Sequence, residues 1–440
     1  MDSEAPMRLF PDIDRKETED IRALQGELLS DTVEYLRERS PHYSRLLGGV
    51  KKIRGIDDIE ALPVTNKEEI QKDNSSFLCV PQERISEVVA TTGTTGTHVY
   101  VYLTERDLTR LAENEKRCFG YCGVTPEDLF VLSVTMDNLF IAGLAYYAGL
   151  QRLGAGVARL GPQSPRKQLD VIRSLKPTGI VTVPTFLNSI YAQAEKDGAD
   201  MRELSLRKAV LIGDAIRNPD FTSNALGNIV QRVESIECYS TYGITEAAVG
   251  FCECGRHTGF HSHPDLVYPE ILDESGRALP DGQTGELAVT TFQVEGMPLL
   301  RYRTGDITYR LTERCRCGRV SARIGPIVGR RAQKLKVKGT TVYPKTIENA
   351  LLEVRGVENY VIEAYTGDDS ADHVVVRVGS RNTGASFKKE VCEAIRSRAR
   401  FTPQVLIEGP QEVEKILFEG GRRKPLIFID RRAKPYDVKL

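Results

Sequence analysis

The sequence predicts an α/β protein: a large N-terminal domain of mixed, mainly parallel sheets covered by helices (1–328), then a small α+β C-terminal domain (329–440). Three observations carry this reading. Between residues 104 and 239, short apolar strands alternate with helices, the pattern of a parallel sheet covered on both faces. A threonine- and glycine-rich loop, Thr91 to Thr97, is flanked by β-like runs at 85–90 and 99–102. Beyond Gly329-Arg330 the pattern changes to two strands and two helices, a compact unit of about 110 residues.

Each element follows from local chemistry. Ile21, Leu24, Leu28, Val33 and Leu36 recur at helical spacing and predict a helix over 16–39, stopped by Ser40-Pro41. Leu62-Pro63-Val64-Thr65-Asn66-Lys67 is a short apolar turn before an acidic helix start. Thr104 is an N-cap residue type and opens a helix to 121. A strand follows at 129–134, then helices at 141–153 and 168–175. Next come a strand at 179–183 ending at Pro184, a helix at 185–196, and a strand at 209–212 ending at Gly213. Ligands of such sheets sit beyond the carboxyl ends of strands, which is where 136–140, 184–186 and Gly213-Asp214-Ala215 fall. A strand at 236–239 runs into Ser240-Thr241-Tyr242-Gly243-Ile244-Thr245-Glu246, and 281–287 is a hairpin turn into a strand. In the C-terminal domain a helix at 346–353 precedes strands at 359–364 and 373–378 and a helix at 387–400.

Composition narrows the class. The 440 residues allow two or three domains and a large core. Lysine and arginine total 60 against 61 acidic residues, a balance that argues against a nucleic-acid binder. No apolar run approaches the roughly 18 residues of a membrane helix, and the acidic start lacks a signal core, so a cytoplasmic protein with no membrane partner is expected. Nine cysteines, an odd number without an export signal, fit reduced thiols or a metal better than disulfides.

Three stretches carry chemistry. In Thr91-Thr92-Gly93-Thr94-Thr95-Gly96-Thr97 the glycines let backbone N–H groups and hydroxyls close on phosphate oxygens, although a polar hairpin turn has the same composition. No Lys-Ser/Thr pair follows, so this is not the Walker-type loop. In Tyr242-Gly243-Ile244-Thr245-Glu246 an aromatic face suits a base, glycine permits close approach, and a carboxylate suits Mg²⁺. Cys252, Cys254, His257, His261, His263, Cys315 and Cys317 offer thiolates and imidazoles for a closed, four-coordinate structural zinc, and the spacing leaves open which four. A zinc-ribbon nucleic-acid module is the rival reading, against which the neutral charge speaks.

The threonine–glycine loop, Tyr-Gly-x-Thr-Glu, and Arg301-Tyr302-Arg303-Thr304-Gly305-Asp306 together resemble the adenylate-forming superfamily. Leu-Pro-Val-Thr-Asn-Lys at 62–67, Glu253-Cys254, Gly259-Phe260-His261 and Cys315-Arg316-Cys317-Gly318-Arg319 resemble its phenylacetate–CoA ligase branch. The resemblance runs from about Leu28 to Asp430. It implies ATP-dependent activation of an aromatic carboxylic acid to acyl-AMP, then transfer to coenzyme A. A carrier-protein thiol or an amine is the alternative acceptor, and a homodimer is the open alternative to a monomer.

By the same resemblance the 91–97 loop, Gly213, Asp214, Ala215, Tyr239, Tyr242, Gly243 and Thr245 bind ATP/AMP, and Glu246 directs Mg²⁺. Asp306 accepts from the ribose hydroxyls and Arg330 is a candidate second ribose contact. Cys254, His261, Cys315 and Cys317 are selected for zinc, with Cys252 and His257 as competitors. Phe140, Ala142, Phe186, Ala215, Tyr239 and Ile244 are the candidates for the acid pocket, whose apolar, flat character suits an aromatic ring, and Asp137, with Asp214, is a candidate there to recognise an amino or hydroxyl substituent. The family's C-terminal domain is mobile about a Gly-Arg hinge that usually carries Asp-Asp, where this chain has Ala332-Gln333. Its catalytic lysine, counted back from Asp430, is Lys424; counting from the glycine gives Arg422 instead.

Overall fold

The computed structural model describes residues 7–91, 98–337, 340–366, 372–421 and 425–432. They form two compact units: Met1–Ser223 with Gly227–Thr304 and Thr308–Ile327, and Asn224–Leu226 with Gly305–Ile307 and Val328–Leu440. Among the described residues no helix is long and apolar enough to cross a membrane.

In the larger unit one sheet holds nine strands among the described residues. Its parallel half runs, in spatial order, Gly156–Arg159, Leu129–Leu132, Gly179–Thr182, Lys208–Leu211 and Glu237–Ile244. Phe130, Val131, Leu132, Ile180, Val181, Ala209 and Leu211 are all buried, as strands covered on both faces must be. Gly179 is required by packing, since a Cβ there would lie 2.2 Å from the Phe130 ring. Helices Glu105–Tyr121, Ile141–Leu153, Pro165–Leu175 and Pro184–Lys196 alternate with these strands, as the periodicity predicts. Thr104 caps the first, in a capping box with Asp107.

Proline is where expectation and structure part. Pro41, Pro165 and Pro184 each open a helix, a position where the missing N–H costs nothing. Ser40 ends the helix Thr18–Arg39 and also caps Pro41–Leu46. The sheet then continues antiparallel through Val249–Cys252, Phe260–His261, Arg323–Ile324 and Arg310–Leu311. A second sheet orders Thr65–Asn66, Tyr302–Thr308, Gly285–Thr291 and Val267–Leu272. Arg301, buried beside it, pairs with Glu270 at 2.9 Å and donates to the carbonyls of Leu62 and Gly276.

The smaller unit has a sheet ordered Gln404–Glu408, Asp372–Gly379, Asn359–Thr366, Phe428–Asp430. Helices Pro344–Leu351, Ala385–Ala399 and Pro410–Leu417 belong to the same unit, whose core includes Ile347, Leu351, Ile362, Val376, Val391 and Ile395. The strand Gln404–Glu408 and the helix after it are additions to the predicted elements.

One buried group predicts a pH dependence. Glu115 is wedged between its own helix, Gly149 of Ile141–Leu153 and Gly250 of Val249–Cys252, accepting only from Asn114 among the bonds described, at 3.0 Å. Burial pushes its carboxyl up to about 7, and the Asn114 amide offsets this only in part. The folded-state value thus exceeds the unfolded one, so its stabilising state is the protonated form. Stability relative to Glu115→Gln should fall as pH rises from about 4.5 to 7, by about 3 kcal/mol in all. Parallel pH profiles of thermal unfolding for the two proteins would contradict this.

Candidate active site

The strand Glu237–Ile244 lies between parallel Lys208–Leu211 and antiparallel Val249–Cys252, with Tyr242 opposite Phe251 and Gly243 opposite Gly250. Tyr242 and Gly243 are therefore inside a strand, and the chain turns only at Thr245, whose carbonyl accepts from the Ala248 N–H at 3.1 Å. Tyr242 is half-buried, its ring 6.1 Å from that of Phe251. Beyond Lys208–Leu211, Gly213 sits at φ +87°, which its lack of a Cβ allows, and leads into half-buried Asp214 and Ala215. The two motifs thus leave the carboxyl ends of adjacent parallel strands, the edge where such sheets bind ligands. Thr241 Oγ1 ties them together, donating to the Leu211 carbonyl at 3.4 Å and lying 3.2 Å from the Tyr146 hydroxyl.

Glu246 is held by a partner absent from the predicted site. The Lys67 ammonium lies 3.1 Å from Glu246 Oε1, with the lysine side chain 34% exposed and the glutamate 13%. Lys67 opens the helix Lys67–Lys72, which Asn66 and Glu69 cap as a capping box. A cation at a helix N-terminus is unfavourable to the helix dipole, so the Glu246 carboxylate offsets a local cost. The signal was present in Leu-Pro-Val-Thr-Asn-Lys, but only the fold shows which carboxylate the lysine meets.

The strands Glu87–Ala90 and Tyr100–Leu103, on either side of the threonine–glycine loop in the sequence, pair antiparallel with Ala90 opposite Tyr100. Buried Thr91 closes the base of the loop: its N–H donates to Val99 O at 3.0 Å and its Oγ1 accepts from Val99 N–H at 3.2 Å. Thr92, Gly93, Thr94, Thr95 and Gly96 lie outside the described residues, as do Lys424 and Arg422.

The predicted acid-pocket residues come from several parts of the larger unit. Asp137 and Phe140 line a cavity of about 300 Å³ with Glu87, Val89, Met136 and Leu144, beside which the Ala90 N–H donates to Leu139 O at 2.9 Å. Phe140 and Ala142 pack on an apolar cluster that contains buried Tyr239. Ile244 belongs to a different cluster, with Ile141 and Ala145, and half-buried Phe186 lies in the first turn of Pro184–Lys196.

In the smaller unit Asp306 stands directly opposite Arg330, whose Nε donates to Asp306 Oδ1 at 3.1 Å. Asp306 is 9% exposed while the Arg330 side chain is 59% exposed, so the carboxylate is fixed by a largely solvated partner.

Cys254, His261, Cys315 and Cys317 place one ligand atom each within 4.8 Å of one another. The Sγ atoms of Cys254 and Cys315 are 3.8 Å apart, and Cys317 Sγ is 3.6 Å from His261 Nε2. Donors at a zinc–sulfur distance of about 2.3 Å in a tetrahedron lie about 3.8 Å from each other, so these four fit the ion. His261 Nδ1 meets Ser321 Oγ at 3.2 Å, which leaves Nε2 facing the thiols. Burial pushes the Cys317 thiol up, but hydrogen bonding to His261 and Arg319 outweighs it and brings the group to about 5, the thiolate form a metal takes. The competitors point elsewhere: Cys252 Sγ faces the Cys118 carbonyl at 3.5 Å, and His257 Nδ1 faces Glu253 at 3.1 Å.

Residues 49–296 match the family model of AMP-binding enzymes. The chain is 34% identical over 358 residues to the phenylacetate–coenzyme A ligase of Thermus thermophilus, covering 79% of each. It is 28% identical over 403 residues to that of Escherichia coli K12, covering 88% of this chain and 90% of the relative. A solved 2-hydroxyisobutyryl-CoA ligase, in the postadenylation state with an acyl-AMP, matches with TM-score 0.80 at 20% identity over 100% of this chain and 94% of its own. An amide bond synthetase from Marinactinospora thermotolerans matches with TM-score 0.56 at 19% identity, over 74% and 66%. At these identities the structures speak for the fold, and the sequence relatives carry the rest: the chain belongs to the AMP-binding, adenylate-forming enzyme family, as a phenylacetate–CoA ligase-like member.

Proposed function

We propose that the enzyme couples ATP to an aromatic carboxylic acid, forming acyl-AMP and pyrophosphate, and then passes the acyl group to coenzyme A with release of AMP. The observation that carries this reading is the carboxyl edge where Tyr242–Glu246 and Gly213–Ala215 emerge side by side, with Glu246 aimed by Lys67. In the first step a carboxylate oxygen attacks the α-phosphorus and pyrophosphate leaves, so the site must hold several negative charges together. Mg²⁺ would neutralise phosphate charge when bound, and Glu246 is the carboxylate that would hold it. The Tyr242 face takes the adenine, the Thr245 hydroxyl the α-phosphate, Asp306 the ribose, and the 91–97 loop the outgoing pyrophosphate. Catalysis is then mostly positioning and charge stabilisation. Cys254, His261, Cys315 and Cys317 hold a structural zinc; four protein ligands leave no open position for chemistry.

The phenylacetate–CoA ligases among its relatives support an aryl acid and coenzyme A. Mass spectrometry of products, with ATP and a panel of aryl and alkyl acids, tests this directly. An aryl-CoA and AMP are expected; products only with a carrier protein or an amine would reassign the acceptor.

We assign Lys424 to the first step alone. Its compact ammonium can approach one carboxylate oxygen as a point charge, and the small domain would present another face to the thiol. Lys424→Ala should lose adenylation yet convert synthetic acyl-AMP and coenzyme A to thioester. Normal adenylation in Lys424→Ala with loss in Arg422→Ala would move the role to Arg422.

A further inference from the structure

Glu253 precedes the predicted metal ligand Cys254, and its carboxylate pairs with Arg217 and is 2% exposed. It collects three donors from three separate segments. Arg217 Nε donates to Oε1 at 2.8 Å, the Ser240 N–H donates to Oε2 at 3.1 Å, and His257 Nδ1 lies 3.1 Å from Oε2. Arg217 ends the turn that begins at Gly213, and its side chain is only 9% exposed. Ser240 lies in the strand that carries Tyr242 and Gly243. His257 lies in the loop between Cys254 and His261, and its ring is 5.3 Å from that of Tyr239.

The turn carrying Arg217 has little freedom elsewhere. Gly227 passes so close that a Cβ there would lie 2.0 Å from the Ile216 carbonyl oxygen, and Arg217 makes an antiparallel bridge to Ser223. One carboxylate therefore joins the Gly213–Arg217 turn to the Tyr242 strand. A buried ion pair adds little net stability compared with apolar packing; what it can fix is geometry. Charge-assisted hydrogen bonds are directional, and in this site they set the spacing between the two segments assigned to the nucleotide.

The geometry points to Glu253 as a positioning residue for ATP: it holds the Gly213–Arg217 turn in register with the Tyr242 strand, so that the two close on the same nucleotide. It touches no substrate and acts through Arg217 and Ser240. The inference rests on the acid-activating function proposed above.

Calorimetric titration of ATP into the purified full chain tests it, with metal content, unfolding temperature and the KM for the acid measured in parallel. Glu253→Gln keeps the shape and removes the charge; the Kd for ATP should rise roughly tenfold. Metal content and acid KM should stay as in wild type, which a merely structural role for Glu253 would not separate from ATP affinity. Arg217→Gln should reproduce the effect, and the double variant should be no weaker than either single one, because the two act as one unit. Glu253→Asp, which retains the charge, should recover part of the affinity. Unchanged ATP affinity in Arg217→Gln and in any folded Glu253→Gln would overturn the inference, as would strictly additive losses in the double variant. Wild-type protein that binds no ATP would instead defeat the functional reading, and this inference with it.

Discussion

Glu246→Gln should abolish acid-dependent ATP–pyrophosphate exchange, with a loss of at least about 10²-fold, while leaving the fold intact. The side chain is partly accessible at a strand end, and its described ion pair is with Lys67. Glutamine preserves volume and removes the charge that a hard divalent cation requires. Because the pair is partly solvated, the change in stability should be about 1 kcal/mol or less. Lys67→Ala is the companion experiment. It leaves the Glu246 carboxylate in place but no longer aimed, so exchange should fall about tenfold and rise again in Lys67→Arg. Exchange close to wild type in Glu246→Gln would remove the residue from the site, and with it the reason for the lysine.

Cys315→Ser should take the bound metal from about one per chain to near zero and lower the unfolding temperature steeply. The four donors come from the end of Val249–Cys252, from Phe260–His261 and from the turn before Arg323–Ile324. They staple the antiparallel end of the large sheet, where thiolates without a metal would be buried charges. Structural zinc sites carry on the order of 10 kcal/mol in small domains, so even a fraction of that exceeds the loss of an ordinary hydrogen bond. Since the proposed zinc, held by four protein ligands, would have no open position, folded Cys315→Ser should retain ATP–pyrophosphate exchange at low temperature. Elemental analysis showing full metal content in Cys315→Ser, or none in wild type purified without chelator, would contradict the assignment.

How much of the fold and the site was legible in the sequence depended on how local the cause was. The helix Ile141–Leu153 could be read to the residue because its apolar run and following glycine are local signals. The strands of the parallel half were readable because burial on both faces makes them continuously apolar. Pro184 marked a boundary correctly but on the wrong side, because a proline that ends a strand can equally open a helix. The strand read at 236–239 continues through Tyr242-Gly243 to Ile244, because pairing with Val249–Cys252 keeps the chain extended. That partner, like the antiparallel half of the sheet, is a tertiary fact. So is the meeting of Lys67 and Glu246, which are 179 residues apart. The Cys/His spacing offered seven candidates, and only the fold removes three of them: Cys252 and His257 face other partners, and His263 lies against Cys118 and Tyr121.

The central claim is acid activation through an acyl-adenylate, and isotope exchange between pyrophosphate and ATP tests it most directly. With purified protein, Mg²⁺, ATP and phenylacetate or a related aryl acid, and no coenzyme A, label should pass from pyrophosphate into ATP only when the acid is present. Label exchange that is independent of acid, or absent across the whole panel of aryl and alkyl acids in protein that binds ATP, would contradict the account.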